Sequence, residues 1–222
     1  MGKCLIVANL KSYQNENEAK NWLETFGKIK ELNLDLTQKE IIICPSFTQL
    51  FSFFSYFSSN NIKVMLGAQN VSPFDEGAYT GEVNAKQIKD FVQYVLIGHS
   101  ERRQNFNETE DMLIKKVDMT LKYGLNPIFL VQNQEDVIPQ GVQIVAYDPS
   151  FAIGSGTPDT PENADAIAAV IKSKNNNAQV LYGGSVTSEN VKSFTAKTNL
   201  DGVIVGGASL EAEEFIKIIK NA

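Results

Sequence analysis

Histidine is almost missing from this chain: the 222 residues hold one, His99, beside two cysteines, Cys4 and Cys44, and a single tryptophan. Two cysteines cannot build a disulfide framework, and with a lone imidazole they leave no recognisable zinc spacing. Both read as small buried hydrophobes. Long apolar runs are missing as well. The most apolar helix candidate, Leu50 to Phe57, is interrupted by Ser52 and Ser55, and no stretch approaches the length of a membrane span. The N-terminal Met1-Gly2-Lys3-Cys4-Leu5-Ile6-Val7 meets polar Asn9 and Lys11 too soon for a signal-peptide core, so a cytoplasmic protein is expected. Basic excess is the third absence. A formal charge of -6 argues against nucleic acid and anionic membranes as partners, so an anionic ligand has to be captured by local groups. Gly154-Ser155-Gly156 lacks the third glycine of a dinucleotide fingerprint, and no triphosphate-binding loop occurs, so no nucleotide cofactor and no metal is expected.

What the chain does have is alternation from end to end. Short β-branched runs at Cys4 to Ala8, Glu40 to Cys44, Lys63 to Ala68, Tyr94 to Ile97, Pro127 to Val131, Gln143 to Tyr147, Val180 to Tyr182 and Gly202 to Val205 read as strands. Between them, amphipathic segments at Glu16 to Glu31, Phe47 to Ser58, Ala85 to Phe91, Glu108 to Tyr123, Pro161 to Ser173, Ser188 to Ala196 and Glu211 to Lys220 read as helices. Thr160 before Pro161, and Thr187-Ser188-Glu189, are helix-start signals. Near-continuous apolar strands alternating with helices imply parallel strands with right-handed crossovers. Eight such units predict one closed α/β barrel domain of (β/α)8 type over residues 1–222. One crossover lacks its helix, because the fifth and sixth strands are joined by about a dozen residues punctuated by Pro139 and Gly141.

Such a barrel carries its chemistry at the carboxyl ends of the strands. Polar clusters stand there: Asn9-Leu10-Lys11, His99-Ser100-Glu101-Arg102-Arg103, Asp148 with the glycine-rich segment to Gly156, Gly183-Gly184-Ser185, and Gly206-Gly207-Ala208-Ser209. Each has a plainer explanation taken alone. Lys11 reads equally as a surface lysine, Asn9 as a strand-ending turn residue, His99 as a core imidazole bonded to backbone, and Glu101 with the arginines as a salt-bridge cluster. The glycine pairs could be tight turns, although two pairs at successive late strand ends match where barrels bind phosphate through backbone amides.

The combination is more specific than its parts. The runs Ala68-Gln69-Asn70-Val71, Gly77 to Val83, Gly98 to Arg103, Tyr182 to Val186 and Val205 to Leu210 resemble the triosephosphate isomerase family, in family order along the whole chain. The resemblance implies a glycolytic and gluconeogenic isomerase that interconverts dihydroxyacetone phosphate and D-glyceraldehyde 3-phosphate without cofactor or metal. It implies Asp148 as the base, His99 as a neutral electrophile, Lys11 and Asn9 as stabilisers of the enediolate, and Glu101 as the residue that orients Lys11. Backbone amides near Gly154, Ser185, Gly206 and Gly207 would hold the phosphate, and the segment Pro149 to Thr157 would be a lid. Thr80, on the loop Gly77 to Glu82, would reach into a partner subunit, which implies a homodimer.

The pattern breaks at Asp148, where the family has glutamate. One methylene less retracts the carboxylate by about 1 Å, a misplacement that can cost roughly a hundredfold in rate, so a slow isomerase is expected. Milder departures are Leu10 and Phe151 in place of tryptophans, Thr157 followed by Pro158 at the lid's far end, and Gln132-Asn133 after the fifth strand. The rival expectation is a relative that binds triose phosphates without significant turnover. A more distant one is a phosphate-handling barrel with other chemistry.

Overall fold

The computed structural model describes residues 2–32, 34–152, 154, 156–175 and 178–222. Eight parallel strands among them close into a barrel in simple chain order: β1 Cys4–Asn9, β2 Lys39–Cys44, β3 Met65–Ala68, β4 Tyr94–Ile97, β5 Asn126–Val131, β6 Ile144–Tyr147, β7 Gln179–Tyr182 and β8 Gly202–Val205. The ring closes where Leu5 to Ala8 of β1 register with Gly202 to Val205 of β8. Alternate residues face opposite ways, as the strand period of two requires. Leu5, Val7, Ile42, Cys44, Leu96, Ile128, Leu130, Ala146 and Leu181 fill the interior, while Ile6, Ala8, Ile41, Ile43, Val95, Phe129 and Val145 face the helices. Both faces of each strand are therefore buried, which is why the strands are continuously apolar.

The helices are α1 Glu16–Gly27, α2 Leu50–Ser59, α3 Ala85–Ile88, α4 Ser100–Asn105, α5 Glu110–Lys122, α6 Pro161–Lys174, α7 Val191–Thr195 and α8 Ala212–Asn221. Local chemistry starts several of them. Asn15 and Glu18 form a reciprocal capping box on α1, Asn84 and Gln87 another on α3, and Thr160 caps α6 with Pro161 in the first turn. Three sequence expectations need correction. The segment Glu16 to Glu31 is not one helix, since α1 stops at Gly27 and a 3-10 turn runs over Lys28–Leu32. Thr187-Ser188-Glu189 does not open α7: Asn190 Oδ1 takes the Thr187 amide at 2.9 Å, and the helix begins at Val191. Cys44 is buried inside the barrel as expected, but Cys4, at the mouth of β1, is only partly buried.

Residues 132–143 join β5 to β6 through turns and contain no helix, as the link's length predicted. The strands beside it are nevertheless covered. Phe129, Val131, Val145 and Tyr147 remain buried, because Ile138 and Val142 of the link fold onto the same outer core as Leu113 and Val117 of α5 and Ala168 of α6.

Candidate active site

At the carboxyl end of the barrel a cavity of about 290 Å³ is lined by Asn9, Lys11, His99, Asp148, Gly154, Ser185, Gly206 and Gly207. Eight of the nine predicted site residues thus share one space. The ninth, Glu101, stands behind it and grips Lys11, with Nζ to Oε1 at 2.5 Å. A larger groove of about 680 Å³ lies elsewhere, between α1 and the start of α8. Its lining carries Glu18, Glu211, Glu213 and Glu214 against one lysine, a poor match to an anionic ligand.

β4 delivers His99 through Gly98, whose φ of +83 is a turn that a side chain would resist. His99 to Arg103, a polar cluster in the sequence, opens a helix in the structure, Ser100–Asn105, with His99 as its N-terminal cap. The Glu101 amide donates to His99 Nδ1 at 3.2 Å, so the ring's proton belongs on Nε2, the nitrogen facing the Asp148 carboxylate. Burial holds the imidazole below its usual range, more than the nearby Glu101 carboxylate restores. The ring is therefore neutral near pH 7. Its Nε2 lies 3.7 Å from Asp148 Oδ2.

Asp148 follows β6 directly and is 7% exposed. Burial pushes its carboxyl up to about 6, against the opposing pull of Lys11. Its carboxylate lies against the end of β7: a Cβ on Gly183 would come within 2.7 Å of Oδ1 and 2.9 Å of Ile204 Cγ2, so a side chain there would push the carboxylate out of place. Lys11 sits in the left-handed region at φ +52, an arrangement costing about 1–3 kcal/mol that persists only when neighbours enforce it. They do so here. Asn9 Oδ1 accepts the Lys11 amide at 3.1 Å, and Gln69 Nε2 donates to the Lys11 carbonyl at 2.9 Å. Gln69 was missed as a site residue in the sequence reading, although it stands one position past the end of β3, where the other clusters were found.

The opposite wall is backbone. Gly184 at φ +104 and Ser185 at φ +53 turn the chain after β7, and a 3-10 turn over Gly207–Leu210 follows β8, held by Trp22 Nε1 donating to Ser209 O at 2.9 Å. The segment after Asp148 folds over this wall. Ser185 Oγ donates to Ala152 O at 2.7 Å and accepts the Gly156 amide at 3.1 Å, while the Asp159 amide donates to Tyr182 Oη at 2.7 Å. Ile153 and Ser155 of the expected lid lie outside the described residues.

The triosephosphate isomerase family model matches residues 4–143 and 139–222. The chain belongs to the triosephosphate isomerase family. The two matched segments overlap inside the β5 to β6 link, where this chain has lost a helix. Among its relatives, the triosephosphate isomerase of Dictyoglomus turgidum is 37% identical over 254 aligned residues, covering all of both chains. That of Trichodesmium erythraeum is 37% identical over 242 residues and that of Fusobacterium nucleatum 36% over 253, each covering 99% of both chains. This protein is an isomerase of that family, and among the described residues no helix is long and apolar enough to cross a membrane.

Proposed function

We propose that residues 1–222 work as one barrel domain that interconverts dihydroxyacetone phosphate and D-glyceraldehyde 3-phosphate, with Asp148 as a shortened base. The observation that carries this reading is the 3.7 Å approach of His99 Nε2 to Asp148 Oδ2, inside a cavity whose far wall is glycine-rich backbone. The Asp148 carboxylate removes a proton from the carbon next to the carbonyl. The electron pair of that bond becomes the enediolate double bond, and the carbonyl π pair moves onto oxygen. His99 Nε2–H meets that oxygen, and the Lys11 ammonium with the Asn9 amide stabilises charge that exists only after proton transfer. His99 gives that oxygen the Nε2 proton and takes one back from the hydroxyl on the deprotonated carbon; the new oxyanion reforms a carbonyl there as the enediol π pair takes the proton from Asp148 at the neighbouring carbon, which completes the isomerisation, so no cofactor or metal is needed.

Glu101 fixes Lys11 by their 2.5 Å bond. Amides around Gly154, Ser185, Gly206 and Gly207 hold the phosphate, which lets a chain of charge -6 accept a dianion. The bonds of Ser185 to Ala152 and Gly156 hold the segment Pro149 to Thr157 as a lid that excludes water, and the Asp159 amide on Tyr182 Oη anchors the chain just past it. The loop Gly77 to Glu82, with Thr80 exposed near its tip, reaches a second copy of this chain in a homodimer. Its base is anchored by Asp75, which accepts from Tyr123 Oη at 2.5 Å and pairs with Lys122.

A coupled assay of glyceraldehyde phosphate turnover tests the reading. Asp148→Glu is expected to raise kcat by roughly a hundredfold, because the carboxylate regains its reach of about 1 Å. His99→Gln is expected to abolish most turnover. Absence of turnover in both wild type and Asp148→Glu, with 2-phosphoglycolate still bound, would instead establish a binding protein.

A further inference from the structure

The strand before the lid and the chain just past it are joined by a side chain that the proton-transfer scheme does not use. Asp159, two residues past Thr157 at the lid's far end, accepts from Tyr147 Oη at 3.1 Å and from Asn163 Nδ2 at 2.7 Å on one carboxylate oxygen, and from the Thr160 amide at 2.7 Å on the other. Its own amide donates to Tyr182 Oη. Tyr147 is the last residue of β6 and immediately precedes Asp148; Tyr182 is the last residue of β7 and immediately precedes the glycine on which the Asp148 carboxylate rests. The two tyrosines are register partners, 3% and 0% exposed, and Tyr182 is stacked on Phe194 at 4.0 Å between ring centroids. One residue therefore bridges the strand that carries the base and the strand that carries the phosphate turn.

We propose that Asp159 is a positioning residue: its carboxylate ties the chain just past the lid, at the start of α6, to Tyr147, and so fixes the backbone from which the Asp148 base projects. This rests on the proton-transfer reading above. A shortened carboxylate has less reach to absorb a misplaced backbone, so rigid placement of its strand end matters more here than for a longer side chain. The bond needs an acceptor at 159 and a hydroxyl at 147, and both groups are otherwise committed only to local anchoring.

The test is a double-mutant cycle on turnover. Asp159→Ala and Tyr147→Phe are each expected to lower kcat by about tenfold with KM held within about twofold, and the double variant to be no worse than the poorer single one. Asp159→Asn, which keeps an acceptor for Tyr147, is expected to retain most of the rate. Unchanged kcat in the single variants, or losses that multiply in the double, would overturn the proposal. Should the wild type not turn over at all, the base assignment fails separately, and amide hydrogen exchange with bound 2-phosphoglycolate decides the link. Tyr147→Phe must then speed exchange at Asp148 and at Asp159 alike; faster exchange at neither end, or at one alone, overturns it.

Discussion

Asp148 faces two opposed demands, because a base must be ionised and a buried carboxylate resists ionisation. With its carboxyl raised to about 6, kcat/KM is expected to fall tenfold for each pH unit below about 6 and to level off above it. A pH profile of turnover checks this, and a plateau continuing to pH 4 would contradict it. The same shift has a stability consequence. A folded value raised from 3.8 to about 6 means the folded state carries no penalty below 3.8, then loses stability as pH climbs through that window, by up to about 3 kcal/mol. His99 has the opposite sign: its folded value is lowered, so stability is lost as pH falls below 6.5. Asp148→Asn, inactive as a base, is therefore expected to be more stable than wild type by about 2–3 kcal/mol at pH 8 and to lose that advantage at pH 3.5, read by denaturant titration. Much of this site could be read from the chain, since Asn9, Lys11, His99 and Asp148 each follow an apolar run. The tautomer of His99 could not, as it depends on the Glu101 amide turning back in a helix start. Gln69 and Asp159 were missed for a similar reason. The partners that matter, the Lys11 carbonyl and the Tyr147 hydroxyl, lie across the barrel end or on another strand, where the chain's own order does not show them.

The strand and helix order was legible because parallel strands buried on both faces leave uninterrupted apolar runs. Boundaries that depend on tertiary contacts were not. Gly27 is the last residue of α1, and a Cβ there would strike Tyr56 Oη, a contact no local rule anticipates. The helix α4 was hidden because Ser100 to Asn105 has no apolar periodicity, although Glu101, Arg102, Arg103 and Gln104 are good helix formers. The loss of the β5 to β6 helix was legible from spacing alone, but not how the exposed flank is covered. Val142, 8% exposed, packs with the outer core, whereas Val137 in the same link is 66% exposed. Val142→Asp is expected to cost about 2–5 kcal/mol by burying an unpaired carboxylate, and Val137→Asp to stay within about 0.5 kcal/mol of wild type. Equal melting temperatures for the two variants would mean the link does not seal the flank.

At the scale of the whole molecule, the strained lysine and the exposed rings belong to one argument. Tyr13 is 70% exposed, two residues beyond Lys11, and the projecting loop presents Tyr79, beside Thr80, stacked at 4.4 Å on Phe74 near its base, the two rings 44% and 43% exposed. If a second copy covers these rings, the segment carrying Lys11 is pressed from outside as well as held by Gln69 from within. The left-handed backbone at Lys11, with its cost of about 1–3 kcal/mol, is then held by association in addition to Asn9 and Gln69. Separation would let the segment relax and draw the ammonium away from the reacting oxygen, a displacement of the kind that costs about a hundredfold in rate. Tyr79→Asp, which sets a charge in the middle of that surface, is therefore expected to sediment as a monomer and to lose about a hundredfold in kcat, while keeping the melting behaviour of an intact barrel. If the chain pairs in this way, wild-type specific activity should fall on dilution in step with the dimer population measured by sedimentation. A Tyr79→Asp monomer with full activity would show that Gln69 and Asn9 hold the lysine unaided.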